Sequence, residues 1–160
     1  MVKEKIPVTQ AIRLLRRHQV DFVPRPYRYE ERGGTATSAR ELQVAEHQVI
    51  KTLVMEDEQG SALIVLMHGD REVSQKNLAR QIGVKQVTPC PPKTADGLTG
   101  YQTGGISPFG TRKKLPIYIE KSILSLEKIY INGGKRGFLI EINPADLARV
   151  LQPAPVEVGV

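Results

Sequence analysis

The segment Val49-Ile50-Lys51-Thr52-Leu53-Val54-Met55 decides the fold, because it has the pattern of a β-strand that is buried on both faces. Its apolar residues fall on both sides of the strand, and Lys51 shares a face with apolar neighbours. Lysine is almost never fully buried without a partner, since removing an ammonium group from water is costly. The segment therefore predicts a central strand whose lysine either reaches solvent along an edge or lines a wet pocket.

Further strands are predicted on the C-terminal side of this segment. A second apolar strand covers residues 61–67, and a third follows Pro116 over residues 117–119. A hairpin is predicted from residues 128–131 and 138–142. Its turn is placed at Asn132-Gly133-Gly134, because an Asn-Gly pair adopts positive φ at low cost. These patterns predict a sheet around the quoted segment.

Helices are predicted from their start signals, and the remaining segments from proline and glycine. The helices begin near Thr9, at the capping box Ser38-Ala39-Arg40-Glu41, at Ser74 with Gly83 as its stop, and at Asn143-Pro144. Pro24 and Pro26 impose an extended segment that carries Tyr27 and Tyr29. Residues 84–110 are expected to form a long functional loop. The chain is expected to be one domain over residues 1–152, followed by a loose tail at 153–160.

Composition indicates a folded protein of the cytoplasm. Hydrophobic residues make up 40% of the 160 residues and charged residues 25%, which is unlike a disordered chain. No apolar run follows Met1-Val2-Lys3-Glu4-Lys5, so no signal peptide is expected. The longest apolar run, at residues 62–67, is too short to cross a membrane. Cys90 is the single cysteine, which excludes an internal disulfide and fits a reducing compartment.

The basic charge of the chain is concentrated in one stretch. The formal net charge is +6, and residues 110–137 hold seven basic and two acidic residues. Arg112, Lys113 and Lys114 stand together at the start of this stretch. An anionic partner such as a sugar–phosphate chain would explain the concentration, while a solvated charge run is the more common reading.

The loop at residues 99–110 is rich in glycine and precedes these basic residues. Glycine lets backbone N–H groups approach a ligand closely, and such amides hold a phosphate or a developing oxyanion. The spacing matches neither a P-loop nor a dinucleotide fingerprint. Taken alone, such a segment is more often an ordinary loop of tight turns.

Several kinds of chemistry find no support in the sequence. His18, His47, His68 and Cys90 lack the spacing of zinc ligands, so no metal or other cofactor is expected. His68-Gly69-Asp70 could hold a base and its orienting carboxylate, but a strand end followed by a turn is favoured. Cys90 lies among prolines without an adjacent cation and is expected to be an inert thiol. Because no serine occupies a nucleophile elbow, a hydrolase of this sequence need not supply its own nucleophile.

Four sequence blocks in order resemble the YbaK/EbsC family of free-standing Cys-tRNA(Pro) deacylases, which are related to the editing insertion of bacterial prolyl-tRNA synthetases. The blocks are Val49-Ile50-Lys51-Thr52-Leu53-Val54, Gly69-Asp70-Arg71-Glu72-Val73, Gly104-Gly105-Ile106-Ser107-Pro108-Phe109-Gly110-Thr111-Arg112-Lys113 and Gly133-Gly134-Lys135-Arg136-Gly137. The resemblance spans roughly residues 9–151. It implies an α+β fold, a compact mixed β-barrel or sheet flanked by helices, with one crevice for the terminal adenosine and its amino acid.

The resemblance also implies roles for particular residues. Lys51 would be the catalytic residue and Thr52 its partner in substrate binding. The other substrate-binding residues would be Tyr27, or Tyr29 two positions away, with Gly104, Gly105, Phe109, Asn132, Gly133 and Gly134. The tRNA backbone would contact Arg112, Lys113, Lys114, Lys135 and Arg136. The family mechanism is cyclisation of the mischarged cysteine on its own ester, and prolyl-tRNA synthetase is the implied partner beside mischarged tRNA.

Two departures from the family pattern bear on substrate preference. Asn132 stands where better-known members have serine, and Leu139 stands where they have aspartate. Asparagine can replace a serine hydrogen bond, whereas leucine cannot replace a carboxylate. Two alternatives therefore stay open, namely deacylation of Ala-tRNA(Pro) or another small mischarged residue by water, and a non-catalytic module that binds tRNA or a synthetase.

Overall fold

A mixed β-sheet of eight strands forms the centre of the computed structural model, which describes residues 6–160. The strands are β1 Val23–Pro26, β2 Val49–Asp57, β3 Ala62–His68, β4 Val87–Pro89, β5 Ile117–Glu120, β6 Ile129–Lys135, β7 Phe138–Ile142 and β8 Ala154–Val156. The helices are α1 Gln10–Arg17, α2 Gly34–Leu42, α3 Gln75–Ile82, α4 Pro92–Thr99 and α5 Pro144–Leu151. The strand order is β1-β7-β6-β2-β3-β5-β8, with β4 also paired to β2. The predicted α+β fold is confirmed.

Strand β2 is central, and its two edges are covered differently. Along one edge β3 runs antiparallel to it from Ile50 to Glu56. Along the other edge, β6 pairs in parallel with Val49 and Ile50, and β4 pairs in antiparallel fashion from Met55 to Asp57. Residues 51–54 therefore lie at a gap between β6 and β4. Both faces of β2 contribute to hydrophobic cores, as the sequence predicts.

Three helix starts are confirmed and one is wrong. The side chains of Thr9, Ser74 and Asn143 accept the first free amides of α1, α3 and α5. The predicted capping box at Ser38 is not used, because α2 begins at Gly34 and Ser38 is buried inside it. There the Ser38 hydroxyl donates to the Thr35 carbonyl within the helix instead of capping it.

The prediction of one long loop over residues 84–110 is wrong in its first half. Strand β4 and helix α4 occupy part of that stretch, and Pro92 sits in the first turn of α4. Proline is tolerated there because the amide it lacks would be unpaired anyway. Gly100 ends the helix with a φ of 78°. Residues 101–110 remain as the glycine loop.

The turn of the β6–β7 hairpin lies beyond the predicted position. Lys135 still pairs with Phe138, so the chain reverses at Arg136 and Gly137, where Gly137 has a φ of 76°. The predicted turn at Asn132 is instead a β-bulge inside β6. There the Asn132 side-chain oxygen accepts the amides of Gly134 at 2.7 Å and Lys135 at 3.1 Å.

The prediction of a loose tail at residues 153–160 is wrong. Strand β8 pairs in parallel with β5, and Val158 is only 1% exposed. The buried Glu120 carboxylate accepts the amides of Val158 at 2.8 Å and Gly159 at 2.6 Å. Burial of Val156 and Val158, together with these two hydrogen bonds, explains why the segment is fixed.

Two sequence expectations concern the relation to membranes. The segment at residues 1–5, which suggested that no signal peptide is present, lies outside the described residues. Among residues 6–160, no helix has the length and hydrophobicity that crossing a membrane requires.

Candidate functional site

A cavity of about 470 Å³ lies at the gap in the sheet beside β2. We call it the lysine pocket. Its walls come from β2 (Lys51, Thr52, Leu53, Val54, Met55), from β4 and α4 with the segment between them (Pro89, Cys90, Pro92, Ala95), from the glycine loop (Thr103, Gly104, Ile106), and from Gly34, Glu72, Val73, Gln75 and Asn132. The volume is within the range of about 300–1,000 Å³ that is usual for small-molecule sites. Most of the walls are apolar, and the polar groups are few.

Lys51 places its ammonium group in this pocket and not in bulk water. Its side chain is 17% exposed, and Nζ donates to the Arg71 carbonyl at 2.7 Å. The Glu72 carboxylate lies 3.3 Å away and is 83% exposed. The ammonium therefore keeps a fixed position while remaining accessible from the cavity.

The tail residues hold the acceptor of Lys51. Glu72 and Val160 exchange both backbone hydrogen bonds, at 3.0 and 2.9 Å, and the Ser74 amide donates to the Val158 carbonyl at 2.8 Å. Through these bonds the segment that carries the Arg71 carbonyl is attached to the ordered tail. No pattern in the sequence pointed to Glu72 or to the Arg71 carbonyl, although both lie in one of the blocks that carry the family resemblance.

Thr52 contributes a buried hydroxyl to the same pocket. Its Oγ1 is the one buried side-chain nitrogen or oxygen within residues 6–160 that has no hydrogen-bond partner. Leaving such a group unpaired costs free energy, which a ligand with a polar atom at that point would recover.

Gly104 and Gly105 hold the glycine loop against the β6–β7 hairpin. A Cβ on Gly105 would lie 2.5 Å from the Arg136 amide nitrogen, so only glycine allows this approach. The Gly105 amide, which is predicted to hold the carbonyl oxygen or the terminal ribose, donates to the Gln102 carbonyl at 2.7 Å. The Gly104 amide has no partner within the described chain, and Gly104 has a φ of 92°. Gly104 is therefore the glycine that can present its amide to a ligand.

The bulge residues shape the pocket more than they line it. Asn132 lines the lysine pocket, and its side-chain nitrogen lies 3.4 Å from the Gly104 carbonyl. Gly133 and Gly134 line neither this pocket nor the one next to it. Added Cβ atoms would meet Phe138 at Gly133 and Tyr101 at Gly134, so both glycines are needed for packing.

Phe109, which is predicted to bind substrate, does not line the lysine pocket. Its side chain is completely buried in the main hydrophobic core. Its carbonyl accepts the Tyr101 hydroxyl at 2.5 Å, and burial raises the pKa of that hydroxyl to about 12. Phe109 therefore anchors the end of the glycine loop.

A second cavity of about 370 Å³ adjoins the lysine pocket, and we call it the tyrosine pocket. It is lined by Tyr27, Tyr29, Glu30, Glu31, Arg32, Thr37, Ser38 and Arg136, together with Gly34, Thr103 and Gly104. The last three residues also line the lysine pocket, so the two cavities share a wall. Both candidate tyrosines and one of the predicted basic residues therefore meet here.

The other predicted basic residues lie outside the two pockets. Arg112, Lys113 and Lys114 are exposed, and the Arg112 guanidinium donates to the Gly97 carbonyl at 3.3 Å. Lys135 is exposed on the hairpin. These side chains form part of the outer surface and do not line the cleft.

Cys90 lines the lysine pocket, a position that the sequence did not suggest. Burial, and then the neighbouring Glu56 carboxylate, raise the pKa of its thiol. The thiol therefore stays protonated at neutral pH and is a poor nucleophile, in agreement with the expectation of an inert cysteine.

His47, His68 and Asp70 form a polar cluster near the far end of β3. The two rings are parallel, with centroids 3.8 Å apart and an angle of 5° between planes. A metal ion binds in the plane of an imidazole ring, and two parallel rings cannot both meet that condition, so this arrangement does not suit a metal. His68 Nδ1 donates to the His47 carbonyl at 2.8 Å, and burial lowers the pKa of His68. Asp70 pairs with His47 at 2.9 Å, and β3 ends at His68 with a turn at residues 69–70, which is the reading that the sequence favours.

Comparison with known proteins agrees with this architecture. A model of the aminoacyl-tRNA editing domain family matches residues 30–150. A protein of Enterococcus faecalis, provisionally designated the Cys-tRNA(Pro)/Cys-tRNA(Cys) deacylase EbsC, is 31% identical over 137 residues, which are 85% of this chain and 84% of that protein. A proline–tRNA ligase of Desulfotalea psychrophila is 31% identical over 99 residues, which are 61% of this chain and 16% of the ligase.

Solved structures share the fold. The crystal structure of the hypothetical protein APE2540 superimposes with a TM-score of 0.86 at 22% identity, covering 95% of this chain and all of that one. A crystal structure provisionally described as a trans-editing enzyme for prolyl-tRNA synthetase gives a TM-score of 0.81 at 21% identity, covering 97% of this chain and 99% of that one. The family match, the identity to EbsC and the shared fold lead to one conclusion: the chain belongs to the aminoacyl-tRNA editing domain family.

Proposed function

We propose that this protein removes cysteine from mischarged Cys-tRNA(Pro), acting on the free aminoacyl-tRNA. The observation that carries the proposal is the lysine pocket itself. It combines a fixed ammonium at Lys51, an unpartnered hydroxyl at Thr52 and an available amide at Gly104. Three donors around an apolar cavity suit an ester carbonyl and ribose hydroxyls, whose oxygens need partners in a site that excludes water.

The substrate supplies the nucleophile in the proposed reaction. The cysteine sulfur forms a bond to its own ester carbonyl carbon, and the bond from that carbon to the ribose oxygen breaks. The thiol proton ends on the ribose oxygen, so the products are tRNA with a free hydroxyl and cysteine thiolactone. Such intramolecular attack gains from proximity, with effective molarities of roughly 10⁵ M or more for well-oriented groups.

The protein residues then have binding and electrostatic tasks. Lys51 and the Gly104 amide stabilise the carbonyl oxygen as it gains negative charge, and Thr52 donates to the ribose or the ester. Cys90 takes no covalent part, since the raised pKa of its thiol keeps it protonated. The apolar walls from Met55, Pro89 and Ile106 surround the short side chain of the amino acid.

The test is a panel of mischarged tRNAs with the purified protein under multiple-turnover conditions. We expect release from Cys-tRNA(Pro) with thiolactone as the first product, and much slower release from Ser-tRNA(Pro), because a hydroxyl cyclises less readily than a thiol. Equal rates for cysteine, serine and alanine would instead indicate attack by water on small residues. If none of the panel is deacylated, the proposal fails and a non-catalytic binding module remains.

We also propose that the protein works beside prolyl-tRNA synthetase. The lysine pocket, at about 470 Å³, has room for the aminoacylated end of a tRNA and not for the rest of the molecule. The relation to a segment of the D. psychrophila proline–tRNA ligase supports the same pairing. The test is whether prolyl-tRNA synthetase lowers the KM for Cys-tRNA(Pro) in the panel assay. If the KM is the same without synthetase and with a saturating concentration of it, the proposed pairing is contradicted.

A further inference from the structure

The tyrosine pocket is a separate cavity for which the proposed reaction assigns no occupant. It has its own volume of about 370 Å³ and joins the lysine pocket through the shared residues Gly34, Thr103 and Gly104. A long ligand that fills the lysine pocket can therefore extend into the tyrosine pocket. The substrate of the proposed function is a tRNA, so the nucleotide that precedes its terminal adenosine also needs a place on the protein.

The wall between the two pockets is thin because a glycine forms it. A Cβ at Gly104 would lie 2.7 Å from the Tyr29 hydroxyl and 3.2 Å from Arg136 Nε. Arg136 Nε donates to the Thr103 carbonyl at 2.9 Å, which fixes the loop from the other side. Thr103 and Gly104 line both cavities, and Gly104 has no side chain to stand between them, so a ligand can continue from one cavity into the other.

Tyr29 and Arg136 are in contact in the tyrosine pocket, and we call this pair the platform. The guanidinium carbon lies 5.2 Å from the centroid of the Tyr29 ring, within the range of a cation–π contact. Aromatic rings and guanidinium planes are the groups on which proteins stack unpaired bases. Because Arg136 Nε donates a hydrogen bond to the Thr103 carbonyl, the guanidinium is oriented before any ligand binds.

Arg136 also offers donors for a phosphate. Among the described residues its two terminal nitrogens have no hydrogen-bond partner, and the side chain is exposed. A planar guanidinium suits the geometry of phosphate oxygens. The remaining charges of the pocket are Glu30, Glu31 and Arg32, and Glu30 is already paired with Arg40 at 3.3 Å. The carboxylates disfavour a phosphate at their end, so the anion belongs at the Arg136 end.

We propose that the tyrosine pocket is the subsite for the nucleotide that precedes the terminal adenosine. The phosphate that links the two nucleotides contacts Arg136, and the preceding base stacks on the platform of Tyr29 and Arg136. The aminoacylated adenosine occupies the lysine pocket. This assignment rests on the proposed function, because it takes the tRNA end as the ligand.

Direct binding of three unacylated probes tests the subsite without requiring catalysis. The probes are adenosine, adenosine 5′-monophosphate and the dinucleotide CpA, with affinities measured by calorimetry. Adding the phosphate should tighten binding, and adding the cytidine should tighten it again by about tenfold, as expected for one stacked base. Arg136→Ala should remove the first gain and reduce the second, whereas Tyr29→Ala should remove the second gain alone. Tyr29→Phe, which keeps the ring, should retain it, and Arg17→Ala, an exposed arginine outside both pockets, should retain both gains.

Three outcomes would overturn the subsite. The first is a wild-type protein that binds CpA no tighter than the monophosphate. The second is a Tyr29→Ala variant that loses as much affinity for adenosine as for CpA, which would place the terminal base in the tyrosine pocket. The third is no binding of any probe at millimolar concentration. Failure of the mischarged-tRNA panel with the stepwise gains intact would remove the deacylase proposal alone, whereas active deacylation without the gains would remove the subsite alone.

Discussion

Lys51 and the basic run at residues 112–114 carry the same kind of charge, but the fold holds them in opposite ways. Lys51 projects from a central strand, is 17% exposed and is fixed by the Arg71 carbonyl at 2.7 Å. Arg112, Lys113 and Lys114 are exposed, and the two lysine side chains have no hydrogen-bond partner among the described residues. A fixed cation can stabilise charge at one atom, whereas mobile cations provide a field that salt screens.

This difference decides which kinetic parameter each group should affect. Ordering Lys51 before the substrate binds means that no further entropy is lost when charge develops on the carbonyl oxygen. The exposed side chains of the basic run become ordered only when tRNA binds, so they contribute to the encounter with tRNA and to its binding. Loss of the fixed cation should therefore lower kcat, and loss of the mobile ones should change KM.

The largest effect is expected for Lys51→Ala. Losing one preorganised donor typically costs about 10²- to 10³-fold in rate, and we expect that loss in kcat for Cys-tRNA(Pro). The fold should survive, because water can reach the Arg71 carbonyl once the side chain is gone. The measurement is deacylation together with a melting curve, with Lys76→Ala as an exposed lysine control on α3. Wild-type turnover by Lys51→Ala would show that the fixed ammonium does not contribute to the reaction.

Thr52→Val should give the next largest effect, with opposite signs in activity and stability. Loss of one hydrogen bond to substrate should lower kcat/KM by up to about tenfold. Since the hydroxyl is unpaired in the free protein, its replacement by a methyl group should leave the melting temperature equal or higher. Thr52→Ser keeps the hydroxyl and is the matched control. A variant that is less stable and fully active would show that the hydroxyl serves the fold.

Gly159→Ala tests whether the ordered tail helps to fix Lys51. The added Cβ would lie 2.3 Å from a Glu120 carboxylate oxygen and 3.3 Å from Arg71 Cδ, so the tail must shift. We expect a loss of kcat of a few-fold, with the free energy of unfolding lowered by about 1–3 kcal/mol as for other overpacked sites. Gly97→Ala is the matched control, because its Cβ would meet nothing within 4 Å.

A double variant separates positioning from general destabilisation. If the tail acts through Lys51, adding Gly159→Ala to Lys51→Ala should lower the rate no further, since coupled residues are not additive. A full additional loss in the double variant would show that the tail affects the rate by another route.

Part of this arrangement is evident in the sequence, and part of it is not. The apolar residues on both faces at residues 49–55 predict a buried strand, and the cost of burying an ammonium singles out Lys51. The gap beside residues 51–54 could not be predicted, because it depends on how far β4 and β6, both remote in sequence, extend along β2. Local sequence patterns therefore indicate the lysine, whereas its pocket depends on the pairing of strands that are remote in sequence.

The errors arise where one local pattern has two structural uses. Asn132-Gly133-Gly134 suits a hairpin turn, but a bulge also uses positive φ, and the turn lies at Arg136 and Gly137. The Gly105 amide is used in a hydrogen bond to Gln102, three residues earlier in the same loop. The sequence of a loop with several glycines does not show which of its residues form such a turn. The tail looked loose because its anchor, Glu120, lies far away in sequence. In each case the competing partner is invisible until the chain is folded.

The smallest effect on kcat is expected for the basic run, where Arg112, Lys113 and Lys114 are replaced together by glutamine. If all three contact phosphates, the slope of log affinity against log salt should become shallower by about 2, taking about 0.7 per contact for single strands. KM should therefore rise at low salt and approach the wild-type value at high salt, while kcat stays at the wild-type level. A slope equal to that of the wild type would show that these charges are merely solvated. A fall in kcat that persists at high salt would show that the run acts on the reacting ester, and the distinction between fixed and mobile cations would then fail.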